Sequence, residues 1–309
     1  MSLQGNLSVE RMCQLAAVSR GGFYRSLKQQ DPDLAEMELQ ATIQQLFFEH
    51  KRRYGYRRIS KELNRRGLRV NRKKVQRLMQ QDNLLALQRR AFRVTTDSKH
   101  DFEVYLNLAR RLKLTGINQL WVADITYIRL AKEFVYLAVV LDAFSRRVVG
   151  WALDRTLAAR LPKAALEMAI AARQPGPGLV HHSDRGFQYA SAEYVAVLEQ
   201  HQIIPSMSRP GNPYDNATCE SFMKTLKQEE IYVQQYRDLE HLRSNVEVFI
   251  EQYYNQQRLH SALNYMPPAE FEQALPVNAK SATMTFFQPS EKSNETVTLP
   301  TVSIQNCLT

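Results

Sequence analysis

Hydrophobic positions along this chain follow two rhythms. From residue 120 onward, short apolar runs rich in β-branched and aromatic residues predict strands at 120–128, 134–141, 147–153, 179–183 and 203–207. Helical spacing predicts helices at about 161–173 and 191–202. The first three strands lie close together in sequence, as antiparallel neighbours do, and the later ones alternate with helices as in βαβ units. The expected class is α/β, a mixed sheet flanked by helices, followed by a further helix from Asp238 to about Gln257.

Before residue 94 only the helical rhythm is present. Val9, Met12, Cys13 and Leu15 mark a short helix, a turn falls around Ala17-Val18, and Ser19 is placed to cap a second helix. Residues 1–32 thus fit a helix-turn-helix, closed by the breaker Asp31-Pro32-Asp33. Leu39, Ile43, Leu46 and Phe47 stripe another helix. Arg57 to Arg66 buries Ile59 and Leu63 and stops at Gly67. Asn71 caps Arg72 to Leu84, whose inner face is Val75, Leu78 and Met79 and whose outer face offers Arg72, Lys73 and Arg77.

Charge sharpens this picture. The whole chain of 309 residues carries +10, but Lys51 to Arg93 holds 16 Lys and Arg against two acids, Glu62 and Asp82. That window is +14 and everything else sums to −4. Basic charge confined to one segment is a footprint for nucleic acid, so residues 33–93 form the better DNA-binding unit, with Arg57, Arg58, Arg72, Lys73, Lys74 and Arg77 as candidate contacts. Residues 94–118 have no clean period and read as a linker. No apolar run is long enough to span a bilayer and no signal-peptide pattern opens the chain, which predicts a cytosolic protein without a membrane partner. Cys13, Cys219 and Cys307 form no CxxC pair, which argues against a disulfide framework and a zinc site.

Three carboxylates carry the candidate chemistry. Asp124 interrupts the run Leu120-Trp121-Val122-Ala123-Asp124-Ile125-Thr126-Tyr127-Ile128, where an uncompensated charge costs about 3 kcal/mol or more. Asp184 ends the segment Leu179 to Ser183, and Glu220 lies on a helix-patterned stretch whose inner stripe is Cys219, Phe222 and Leu226. Glu220, Lys224 and Lys227 share a neighbouring face, a metal-type carboxylate beside two cations suited to phosphate. Two strand ends and a helix are how an open α/β sheet assembles a polar site at its edge. Three acids can hold two Mg²⁺ ions about 3.5–4 Å apart, one activating the attacking oxygen and one steadying the leaving oxygen.

Four blocks in order resemble a known family. Trp121 to Ile128, His182-Ser183-Asp184-Arg185-Gly186-Phe187-Gln188-Tyr189, Gly211 to Glu220, and Tyr254 to Leu263 with Pro267-Pro268 look like the catalytic part of insertion-sequence transposases of the OrfB type. These have a retroviral-integrase-like, RNase H-like core with a DDE triad. The resemblance covers about residues 50 to 272. Ala123 and Phe187 differ from it, standing where a hydroxyl and a small polar residue are usual. The likeness implies an RNase H-like catalytic core at 119–235 and a C-terminal helical part at 236–275; beyond Pro276 the chain is polar with short alternating patches, so 276–309 reads as a tail that is either a small β appendage or partly disordered.

The same resemblance implies that Asp124, Asp184 and Glu220 bind the catalytic Mg²⁺, with Mn²⁺ able to substitute, and that Lys227 helps hold DNA two turns after Glu220. It also implies metal-activated water cutting a strand at an element end. The freed 3′-OH then attacks another phosphodiester, with no covalent protein intermediate. Expected partners are double-stranded DNA, at the terminal repeats and the target, and further copies of the chain, at least a dimer on DNA, in the bacterial cytosol or nucleoid. Rival readings are a stand-alone metal-dependent nuclease and an element-derived DNA-binding regulator.

Other polar residues invite plainer roles. Asp142 suits a turn cap better than a fourth ligand, and Asp215 suits an N-cap. His181 and His182 lack a third nitrogen or sulfur ligand and are expected to pack and hydrogen-bond. Arg258 and His260 divide evenly between DNA contact and a satisfied interior pair.

Overall fold

Polar caps set the helices of the N-terminal part in a computed structural model of the chain, which describes residues 8–27, 33–86, 105–109, 112–208, 216–276 and 279. The chain divides into two units, Met1–Arg89 and Arg90–Thr309. In the first, the helices are α1 (Val9–Leu15), α2 (Arg20–Leu27), α3 (Leu34–Glu49), α4 (Tyr56–Arg65) and α5 (Arg72–Gln81). Ser19 Oγ accepts from Gly22 N at 3.1 Å, Asp33 Oδ1 from Glu36 N at 3.1 Å and Asn71 Oδ1 from Lys73 N at 2.8 Å, each satisfying an orphan donor of the first turn. Ala17 makes the turn between α1 and α2 with φ +53°.

Gly67, at φ +87°, closes α4. Its N–H reaches Asn64 O at 3.1 Å while Leu68 N reaches Leu63 O at 2.9 Å, the paired bonds of a left-handed helix stop. Asn83 performs the same turn at φ +51°, with Leu84 N on Met79 O at 2.8 Å, so α5 ends at Gln81 and not at Leu84 as its apolar period suggested. Ile43, Leu46, Phe47, Tyr54, Ile59, Leu63, Val75 and Leu78 are buried and hold α3, α4 and α5 together.

The second unit is built on a five-stranded mixed sheet, β1 (Leu120–Arg129), β2 (Phe134–Asp142), β3 (Val148–Asp154), β4 (Val180–Ser183) and β5 (Ile204–Met207), in the order β3-β2-β1-β4-β5. β1 pairs antiparallel with β2, and β2 with β3, while β1, β4 and β5 run parallel. Helices α6 (Arg160–Arg173) and α7 (Ala192–Gln200) make the crossovers and cover the face formed by Trp121, Ala123, Ala138, Val140 and Val149. Gly150 lets α6 approach β3: a Cβ there would stand 2.1 Å from the Ala165 carbonyl oxygen. Residues entering β1 are bound to this unit, since Leu108 N donates to Ser206 Oγ at 3.0 Å and Tyr105 packs on the core.

Helix α8 (Ala217–Leu226) runs on as a π-helical stretch, Lys227–Ile231. Helix α9 (Leu239–Glu247), capped by Asp238, does the same over Val248–Tyr254, and α10 (Pro268–Gln273) follows a short 3₁₀ turn. The last of the four sequence blocks fastens these helices to the sheet. The Asn255 side-chain amide pairs with both N and O of Val148 at 3.0 Å, and Glu272 receives Arg147 at 2.9 Å and Arg173 at 2.5 Å. Among the described residues no helix is long and apolar enough to cross a membrane. Residues 209–215, with Asp215, and the tail beyond Pro276 lie outside the described residues apart from Ala279.

Candidate active site

Strand register brings two of the three carboxylates together. Val122 pairs with His182 across the parallel β1 and β4; two residues further on, Asp124 still lies within β1 while Asp184 follows the last residue of β4, and the two carboxylates are close enough to repel each other. Trp121, Ala123 and Ile125 face α6 and α7, which turns Asp124 to the opposite side of the sheet. Asp184 accepts the Gly186 N–H at 2.9 Å, and any side chain at Gly186 would crowd that oxygen, 3.0 Å from its Cβ. Asp124 accepts the N–H of Ile125 at 2.8 Å.

Two contacts on β1 place the third. Asn216 Nδ2 donates to the Ala123 carbonyl at 2.9 Å, and the buried Cys219 thiol donates to the Val122 carbonyl at 3.3 Å. They lay the first turn of α8 along β1 just before Asp124 and bring Glu220 to the edge of the site. Asn216 occupies the N-cap position, and its amide is spent on the strand and not on the helix. Cys219, a free buried thiol, thus helps to tie α8 to β1.

The electrostatics of the cluster are lopsided. Burial, then repulsion from Asp184, pushes the Asp124 carboxyl up to about 7, against the pull of the Ile125 N–H and of Lys227. Glu220 adds to the repulsion and leans outward, its Oε1 held 2.6 Å from Lys224 Nζ. Lys227 is buried, its ammonium 5.0 Å from the Tyr127 ring centroid, and burial lowers its pKa against the attraction of Asp124. The three acids are thus neighbours that repel one another, and among the described residues no three His, Cys, Asp or Glu side chains close around a single metal position. The donor set still suits a hard divalent cation. Mg²⁺ is commonly held by one or two carboxylates, with water and phosphate oxygens completing its shell.

The plainer readings of Asp142, His181 and His182 hold, and Arg258 falls on the interior side of its two alternatives. Asp142 is a turn cap, accepting from Asn118 N at 2.7 Å, Phe144 N at 3.0 Å and Ser145 N at 2.9 Å. His181 meets the Tyr194 hydroxyl at 3.0 Å, and burial with His182 nearby pushes it down to about 3. His182 bridges Ser206 at 2.8 Å and Ser208 at 3.1 Å, tying β4 to the end of β5 beside Asp184. Arg258 is an interior residue, its guanidinium gripping Glu229 at 2.7 and 2.9 Å. His260 is buried with its ring 4.8 Å from Tyr254.

The basic unit carries one feature the charge count missed. Arg57, Arg72 and Lys73 are exposed, and Arg58 stacks over Tyr54 at 5.4 Å. Lys74 and Arg77, however, converge on Glu36 of α3 at 3.1 and 2.8 Å, and both hold its carboxyl below the usual range. Glu36 stands 38 positions before Lys74 in the chain and outside the basic window, which hid it from a windowed count.

The chain matches three domain families: an HTH-like domain over residues 33–92, an integrase core domain over 115–213, and a second integrase core domain over 201–268. It is 37% identical over 265 residues to the insertion element IS600 uncharacterized 31 kDa protein of Shigella sonnei, covering 85% of this chain and 97% of that one. It is 39% identical over 235 residues to the transposase for insertion sequence element IS904 of Lactococcus lactis, covering 76% and 93%. Against the transposase InsF for insertion sequence IS3A of Escherichia coli it is 35% identical over 274 residues, covering 87% and 95%. Among solved structures, a chain of the simian T-cell lymphotropic virus intasome in complex with the PP2A regulatory subunit B56 gamma aligns at TM-score 0.47 and 14% identity, over 82% of this chain and 80% of that chain. The HTLV-2 integrase catalytic core domain in complex with magnesium aligns at 0.41 and 16%, over 52% and 99%.

Proposed function

This chain belongs to the insertion-sequence transposases with an integrase core, and from that premise we propose that Asp124, Asp184 and Glu220 are the carboxylates with which it cuts DNA at element ends and joins the 3′-OH to new DNA. The observation that supports this most directly is the β1–β4 register, which sets Asp124 and Asp184 side by side, with α8 anchored alongside by Asn216 and Cys219.

Divalent cations, two Mg²⁺ in this reading, would be held by the three acids and would supply charge stabilisation to the attacking and leaving oxygens of the phosphodiester. Asp124 on β1 and Asp184 just past the end of β4 fix the position, and their mutual repulsion favours a cation between them. Glu220 completes the set on releasing Lys224, which is then placed, with Lys227, to meet phosphate oxygens. Positioning and electrostatics supply the catalysis, with no nucleophile from the protein. The basic helices α4 and α5 bind the terminal repeats through Arg57, Arg58, Arg72, Lys73, Lys74 and Arg77. Joining two DNA segments at one site calls for at least a dimer on DNA.

The test is to incubate Asp124→Asn, Asp184→Asn and Glu220→Gln with a terminal-repeat duplex in Mg²⁺ and map the products. Each variant is expected to bind DNA and to lose both cleavage and joining. Strand transfer by any one removes that residue from the set. Hydrolysis without joining by the unaltered protein would identify a nuclease, and binding without either would identify a regulator.

A further inference from the structure

Helix α3 is apolar on two opposite sides. Ile43, Leu46 and Phe47 are buried on the side that packs against α4 and α5. A second stripe, Leu34, Met37, Ala41, Gln44 and Phe48, recurs at intervals of three and four residues and is exposed. Leu34, Met37 and Phe48 are 71%, 54% and 64% exposed, although Phe48 meets Phe47 edge-to-face with ring centroids 5.6 Å apart. Three large apolar side chains in water along one helix face mark a surface that another chain covers.

Charge identifies that chain. α3 holds Glu36, Glu38 and Glu49 and neither Lys nor Arg, so within this basic unit it is the helix least suited to phosphate. Its two ends differ in sign. Asp33, the cap of α3, and Glu38 are exposed at its start, and Lys51 and Arg52 are exposed just past its end. A second copy of α3 laid antiparallel sets Lys51 and Arg52 of each chain toward Asp33 of the other, and Gln44 toward Glu38. A parallel copy would set acid on acid and base on base.

The apolar stripe favours the same direction. Centred on Ala41, an antiparallel pair lays the bulky Phe48 of one chain over Leu34 and Met37 of the other, and the small side chain at the crossing lets the helices approach. Size sets the strength. Two strips about 24 Å long and 10 Å wide fall well short of the ~1,200 Å² that a stable interface buries. Free chains therefore stay apart, and they pair once DNA raises their local concentration.

We infer that α3 is where two copies of this chain meet on DNA, packed antiparallel about Ala41 through Leu34, Met37 and Phe48. The inference rests on the transposase reading and names the surface for the dimer that joining requires.

The test treats cysteine variants of the full chain, all carrying Cys307→Ser, with a short bismaleimide on a terminal-repeat duplex and maps the linked peptides. The native Cys13 and Cys219 are buried. An equal mixture of Leu34→Cys and Phe48→Cys proteins is expected to give a covalent dimer linked from 34 to 48, and Ala41→Cys is expected to give one alone. Leu34→Cys by itself and Phe48→Cys by itself should give none, because like positions lie about 20 Å apart in the antiparallel pair. Met37→Glu should raise the protein concentration for half-maximal joining roughly tenfold or more, since a carboxylate enters the apolar contact. Met37 is exposed, so this variant folds, as circular dichroism will verify. Dimers from Leu34→Cys or Phe48→Cys alone, none from the mixture or from Ala41→Cys, or an unchanged requirement in Met37→Glu overturns the pairing and leaves the transposase reading intact. Failure of the unaltered protein to cut and join ends overturns that reading, while the cross-links still decide the pairing.

Discussion

Lys224 Nζ lies 2.6 Å from Glu220 Oε1, one helical turn apart on α8, so the third of the proposed metal carboxylates already has a cationic partner. The pair is about half exposed on both sides, at 48% and 43%, so its strength is that of a surface ion pair, roughly 0.2–1 kcal/mol. A cation entering between the acids must displace it. Lys224→Gln is therefore expected to lower the Mg²⁺ concentration for half-maximal cleavage by up to about fivefold at saturating DNA. An unchanged or higher requirement would mean that Glu220 is not restrained in this way.

Asp124 sets a pH limit. Its carboxyl is pushed up to about 7 by burial first and by Asp184 second, so in the metal-free protein it takes up a proton as pH falls through 7. A proton and a metal compete for the same oxygens, so cleavage should decline below about pH 7, and raising Mg²⁺ should move that limb to lower pH. The stability consequence has the opposite sense. The folded state binds this proton more tightly than the unfolded state, so Asp124 lowers stability as pH rises from about 4 to 7 and leaves it lowered above that. Asp124→Asn should raise the unfolding temperature of the second unit in EDTA at pH 8, and do so much less at pH 4, where both states hold the proton. Scanning calorimetry at the two pH values checks the sign, and an equal effect at both would assign the gain to something other than charge.

Glu36 restrains the basic unit. With Lys74 and Arg77 both on its carboxylate, two of the expected phosphate contacts are partly neutralised before DNA arrives. Glu36→Gln should tighten DNA binding and steepen its log–log salt dependence by up to about 0.9 for each further phosphate that the freed cations neutralise. Reversing Arg72, Lys73, Lys74 and Arg77 should weaken binding and flatten the slope. Equilibrium binding at several salt concentrations reads both, and an unaltered slope in the two variants would make this helix a solvated surface.

Much of the site was legible because its residues break local rules. Asp124 is conspicuous as a charge in an apolar strand, Asp184 as an acid at a strand end, and the short links between β1, β2 and β3 left antiparallel pairing as the simplest course. The contacts that tune the site were not legible, because they join residues far apart in sequence. Glu36 meets Arg77 across 41 positions, Asn216 meets Ala123 across 93, and Cys219 meets Val122 across 97. The π-helical stretches at Lys227–Ile231 and Val248–Tyr254 also escaped, since one widened turn barely disturbs an apolar period read as α-helix. The end of α5 was misplaced for a related reason: Leu84 continues the apolar stripe, but Asn83 adopts the left-handed turn first.

The Glu229–Arg258 pair joins the π-helical stretch carrying Lys227 to the last sequence block, and it is buried on both sides with Tyr253 also donating to Glu229 at 3.1 Å. A buried ion pair adds little net stability over apolar packing, but removing one partner strands the other charge in a low-dielectric interior. Arg258→Met is expected to destabilise the second unit by about 3–5 kcal/mol. The double variant Arg258→Met with Glu229→Gln should recover a large part of that loss, because the stranded charge is gone. Urea unfolding of the two single variants and the double gives the coupling directly, and additive losses would show that the pair does not act as a unit. If the pair also sets the height of Lys227, the double variant will fold yet show weaker end joining, with a higher concentration of DNA needed for half-maximal rate. Wild-type joining by that stable double variant would confine Arg258 to stability.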